Sequence, residues 1–138
     1  MIQRVRRACA VLVLAAALAG CGLDVQEPDL FLLKRVGQGR PLTILVNDSG
    51  TISCNGGKAK QLADPLLLQA RDLATALNKD AQSKLKLSSS ANSVFSYTIQ
   101  LQDGTISFPD TAASRHHELA QAELFAAQAA QQSCGLSG

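Results

Sequence analysis

The chain lacks an apolar run long enough to cross a bilayer, a Cys-x-x-Cys, a Gly-x-Ser-x-Gly, and any histidine beyond one adjacent pair. Each absence removes a class of function. The apolar run Ala8 to Ala19 is 12 residues, whereas a spanning helix needs about 20, so this stretch is not expected to be a permanent anchor. Without Cys-x-x-Cys, a redox-active dithiol is not expected. No serine sits in a nucleophile elbow. His116-His117-Glu118 cannot hold one ion as an i, i+4 pair does, because neighbours on a helix diverge by about 100°. The pair reads as the polar first turn of a helix, with Glu118 favoured by the dipole. Gly37-Gln38-Gly39 has no third glycine, and Pro41 opens a strand where a phosphate loop would start a helix. The acids Asp48, Asp64, Asp103 and Asp110 are dispersed as caps and turn residues, and no two carboxylates are paired at an acid–base spacing. No catalytic residue, metal site or cofactor site is expected.

Charge is also short on one side once the N-terminus is set apart. The chain has 13 Lys and Arg against 11 Asp and Glu. Three of the bases, Arg4, Arg6 and Arg7, stand directly before the apolar run, and small residues follow it up to Cys21. Basic residues, a short apolar stretch and small residues before a boundary are the parts of a secretory signal. Removing residues 1–20 leaves 10 bases and 11 acids, a net charge near −1. No nucleic-acid footprint remains. Ala8-Cys9-Ala10 lacks the bulky apolar pair that follows a twin-arginine motif, so the general export route is expected.

Leu18-Ala19-Gly20-Cys21 resembles the lipobox of bacterial lipoproteins. The resemblance implies that Cys21 receives a diacylglyceryl thioether and becomes the first residue of the mature protein, with acyl chains such as palmitate. Two or three chains hold a protein stably at a membrane. The expected location is the extracytoplasmic face of the cell membrane. Cys9 leaves with the leader and Cys21 carries lipid, so Cys54 and Cys134 remain. In an oxidising compartment they are expected to form a disulfide rather than stay as two buried thiols.

The mature chain reads as a lipidated tether, residues 21–29, followed by one α+β domain, residues 30–138. Strands are expected at Leu30 to Val36, Leu42 to Val46 and Thr51 to Cys54, joined by turns at Gly37-Gln38-Gly39 and Asn47-Asp48-Ser49-Gly50. Asp64 and Pro65 open a helix with Leu66, Ala70, Leu73 and Leu77 on one face and a stop at Asn78. Residues 79–93 read as a polar connection. Phe95, Tyr97, Ile99 and Leu101 alternate with Ser96, Thr98, Gln100 and Gln102, so one strand face is apolar. Asp103-Gly104 predicts a type I′ turn into Thr105 to Phe108. A last helix runs from near Ser114 to Cys134, with Leu119, Ala122, Ala126, Ala129 and Ala130 inward and a glycine-terminated end at Gly135-Leu136. Lys34, Arg35, Arg40, Lys58, Lys60, Lys79, Lys84 and Lys86 read as a solvated basic rim.

The expected fold is therefore an antiparallel sheet of about five strands with two helices on one face. Thr43-Ile44 with Gly50-Thr51-Ile52-Ser53 echoes Thr98-Ile99 with Gly104-Thr105-Ile106-Ser107, which raises a duplicated ββα unit as one account. The segments Pro65 to Arg71 and Ile106 to Asp110 resemble small uncharacterised lipoproteins of high-GC Gram-positive bacteria. Phe95 to Ile99, Asp103-Gly104 and Phe108-Pro109-Asp110 give a looser likeness to emfourin-type metalloprotease inhibitors, which transfers no inhibitory residue. The reading that follows is a lipid-anchored, non-catalytic binding or accessory module with an unknown protein partner. Inhibition of an extracellular protease and binding of a small molecule or lipid are the alternatives.

Overall fold

The computed structural model describes residues 25–27 and 29–136. The expected leader, the lipidation residue Cys21, residues 22–24 and Pro28 of the tether, and residues 137–138 lie outside the described residues. The described part of the expected tether is a turn: the Asp29 N–H donates to the Gln26 carbonyl, and the Gln26 N–H donates to the Asp29 carboxylate.

Six strands form one sheet: β1 (Asp29–Gly37), β2 (Leu42–Asn47), β3 (Thr51–Cys54), β4 (Lys60–Gln61), β5 (Phe95–Leu101) and β6 (Gly104–Pro109). Their spatial order is β4-β3-β2-β1-β5-β6, and every neighbouring pair is antiparallel. The short edge strand β4 was not expected. Its two residues carry no apolar alternation that a sequence could show, and they pair with Thr51 and Ile52. Two helices, α1 (Asp64–Gln82) and α2 (His117–Gln132), share a single core with the sheet. A 3-10 turn, Asp110–Ser114, leads into α2. The antiparallel α+β architecture is that expected from the sequence.

Strand alternation sets the faces. Phe31, Leu33, Ile44, Val46, Ile52, Tyr97, Ile99, Ile106 and Phe108 point at the helices and are buried. Thr43, Lys34 and Thr98 stand side by side in register on the opposite face. That face also has an apolar centre. Leu32 is buried there outside the helix-side core, between Leu45 of β2 and Gln100 of β5.

Helix α1 buries Leu66, Ala70, Leu73, Leu77 and Ala81 at helical spacing. Its ends differ from expectation. Asp64 lies in the first turn, and Ala63 holds the capping position without a side-chain bond. The helix also passes Asn78 and ends four residues later, because Ala81 continues the buried stripe. There Lys84 takes the left-handed conformation, φ 54°. Leu85 N–H reaches the Asp80 carbonyl and Lys84 N–H the Ala81 carbonyl, the two bonds of a Schellman end. The chain then runs alongside β6, where Leu85 and Leu87 bracket Ser107.

Helix α2 buries Leu119, Ala122, Phe125, Ala126, Ala129 and Ala130. The Phe125 ring meets Phe31 edge-on, centroids 5.5 Å apart, a favoured aromatic geometry. Gly135 has φ 64°, and Leu136 packs on the core, as the expected helix end requires. Cys54 at the end of β3 and Cys134 just beyond α2 stand at disulfide distance, their Cα atoms 5.7 Å apart.

The sequence echo does not extend to the fold. Strands β2 and β5 flank β1 and run in the same direction, but β3 lies on one side of its partner and β6 on the other. With both helices on one face, the two hairpins are opposite-handed, and no rotation superposes them. Their pairings differ as well. Ile99 opposes Ile106, whereas Ile44 opposes Cys54.

Candidate functional site

The sheet has two ends with different chemistry. At the Asp29 end lie the β2–β3 turn, the β5–β6 turn and α1. A shallow groove of about 400 Å³ there is lined by Asp29, Leu30, Arg71, Asn78 and Asp103 among others. Arg71 is already engaged: its Nε donates to Asp48 Oδ1 at 2.7 Å and its Nη2 to the Asp48 carbonyl. Asp29 accepts from Asn47 Nδ2. Both Arg71 and Asp29 are thus already partnered within this end.

The Gly37 end carries a second groove, also about 400 Å³. Strand β1 is nine residues long, so the two ends are separated by about 30 Å at the usual rise per residue. This groove lies where β6 turns into the 3-10 segment. Leu87, Pro109 and Ala112 are its apolar lining, and Ser88, Ser90, Thr111, Ser114, Arg115 and His116 are its polar one. Ser90, Ser93 and Thr111 hydroxyls form a triangle with edges of 3.3, 3.3 and 3.4 Å. Ser114 Oγ donates to the Thr111 carbonyl. The Ser90, Ser93 and Ser114 hydroxyls therefore have partners, and none of those partners is His116. His116 Nδ1 instead lies 3.7 Å from Glu118 Oε1. Glu118 in turn meets Asp80 from the end of α1. Burial raises the Asp80 carboxyl above its ordinary range, and the Glu118 charge and a hydrogen bond with it add to the rise, against the opposing pull of His116 and Lys79.

Behind this groove, between the sheet and α2, sits a cluster of inward polar groups. Arg35 of β1 lies 4.8 Å from the Phe95 ring centroid, stacked as a cation on its face. Tyr97 of β5 stacks on Phe108 of β6, centroids 5.2 Å apart. Burial pushes the Tyr97 phenol up, with Glu123 adding to the rise and the Arg35 guanidinium opposing it. Glu123 comes from the inner flank of α2, one turn after Leu119. Burial, with the Asp110 charge second, raises its carboxyl to about 7. Its Oε1 is buried without a hydrogen-bond partner, as is Arg35 Nε. Asp110 is held as an acceptor: its carboxylate takes the N–H groups of Val94 and Phe95 at 3.0 and 3.2 Å.

Two expectations change here. The sequence shows no paired carboxylates, yet the fold pairs Asp80 with Glu118 and brings Asp110 to Glu123. Their separations along the chain, 38 and 13 residues, hide the pairing. Arg35 is half-buried against Phe95 and not part of a solvated rim. The inward placement of Arg35 and of Glu123 was legible, though not what each meets there. Arg35 follows Phe31 and Leu33 at period two, and Glu123 follows Leu119 at i+4, so each falls on an inward face. Of the two histidines, His116 lines the groove and His117 is exposed. Among the described residues no three His, Cys, Asp or Glu side chains are grouped to hold a metal ion, and no helix is long and apolar enough to cross a membrane. Compared with family models, curated proteins and solved structures, the chain matches none.

Proposed function

We propose that this chain is a lipid-anchored, non-catalytic binding or accessory module at the extracytoplasmic face of a bacterial cell membrane, meeting a protein partner through its Gly37 end. The observation that carries the reading is the Cys54–Cys134 pair at disulfide distance. Such a pair suits an oxidising compartment, and the lipobox at Cys21 accounts for how the chain would reach one. Cys21 stands eight residues before Asp29, the first residue of β1. A tether that short would set the Asp29 end toward the bilayer and the hydroxyl-lined groove away from it. At the Asp29 end Arg71 is paired with Asp48 and Asp29 with Asn47, whereas Arg115 in the far groove has no ion pair among the described residues.

The test is site-specific photo-cross-linking in intact cells, with the reactive side chain placed at Thr111 or at Asp103. Cross-links to a protein from position 111 and none from 103 are expected. Equal capture at both, or capture only from 103, contradicts the assignment of the binding end.

A further inference from the structure

We propose that Glu123 is a proton-operated latch: its neutral form seats the start of α2 and the 3-10 turn on the sheet, and its ionised form loosens the Asp110 anchor and reshapes the adjoining groove. Three features of the geometry carry this. Glu123 Oε1 is buried with no hydrogen-bond partner, so ionisation leaves one oxygen of a partly buried carboxylate without a donor, which is costly. The neighbouring acid cannot turn away freely, because Asp110 holds the N–H groups of Val94 and Phe95. The segment that must move to relieve the conflict is the lining itself: Thr111, Ala112, Ser114, Arg115 and His116 all border the groove.

Among the described residues, the influences on the Glu123 carboxyl are burial and the Asp110 charge, and no cation offsets them. From β5, Tyr97 presents a phenol whose own ionisation is pushed up. From the 3-10 turn comes Asp110. From β1, Arg35 is taken up by Phe95 and acts on Tyr97. From β6, Phe108 and Pro109 bring no charge. On α2 itself, Glu118 is engaged with Asp80 and His116. From α1, Asp72 lines a separate small groove with Gln121 and Leu124. The rise of the Glu123 carboxyl to about 7 places the change near neutrality.

The inference does not depend on lipidation, and the test uses the folded domain in solution with no ligand. Carboxyl-carbon and amide NMR resonances are followed through neutral pH in the wild type, in Glu123→Gln and in His116→Asn, the last because His116 borders the same groove. The expected result is a Glu123 carboxyl midpoint near 7, with the amides of Val94, Phe95 and residues 110–115 shifting at that midpoint. This step is lost in E123Q and kept in H116N. A Glu123 midpoint near the ordinary 4.5 overturns the proposal, as does a step that survives in E123Q or disappears in H116N. The wild-type carboxyl titration decides the matter even if a variant fails to fold.

Discussion

Gly104 lies so close to Ala81 that a β-carbon at Gly104 would overlap the Ala81 carbonyl oxygen. The contact is between the first residue of β6 and the last buried residue of α1, and it fixes how low the helix sits on the sheet. Glycine is needed there for proximity as well as for its φ of 155°. Gly104→Ala is expected to destabilise the fold by about 2–3 kcal/mol, since the obstacle is backbone and cannot rotate aside. Chemical denaturation of the variant measures this directly.

Lys84 gives the opposite sign. It ends α1 with φ 54°, a conformation that costs a side-chain-bearing residue about 1–2 kcal/mol and costs glycine little. Lys84→Gly is expected to raise stability by up to about 1 kcal/mol. The unfolding midpoint in urea would rise with the slope unchanged.

The Cys54–Cys134 pair spans 80 residues. In the chain-entropy picture, closing a loop of that size is worth at most about 4.5 kcal/mol, and measured losses are commonly about 2–4. The double variant C54S/C134S is expected to lose that amount. Lys60 Nζ and the Ser133 carbonyl, at 3.5 Å, are too weak a link to hold the end of α2 against β4 alone. Thiol labelling of the denatured native protein should modify neither cysteine unless a reductant is added first.

Stability should fall as pH rises through neutrality. The Glu123 carboxyl sits at about 7 in the folded chain against 4.5 as a model group. The folded state therefore binds the proton more tightly, and its contribution is complete below the unfolded value and lost as pH passes the folded one. The group is partly exposed, so solvent screening reduces the size of the effect. The melting temperature of the wild type is expected to drop between pH 5 and pH 8, and that of E123Q to drop less.

What the sequence reveals of the fold is what local chemistry dictates. Tyr97, Ile99 and Leu101 of the period-two run and the helical stripe Leu66 to Leu77 are each buried as their spacing requires. The turns are less legible because they answer to contacts far along the chain. The β5–β6 loop consists of Gln102 and Asp103, neither at positive φ, so it is not the type I′ turn that Asp103-Gly104 suggests. The glycine answers instead to α1. Helix α1 overruns Asn78 for the same reason, since Ala81 is buried against the hairpin. The polar cluster was the least legible. Arg35, Tyr97, Asp110 and Glu123 come from four elements, and only the register of β1 with β5 and the seating of α2 bring them together.

Intact mass spectrometry of the protein extracted from its native membrane tests whether Cys21 is lipidated. The expected mature chain begins at Cys21, with that residue carrying the added mass of a diacylglyceryl thioether. A chain that retains residues 1–20, begins elsewhere, or carries an unmodified Cys21 contradicts it.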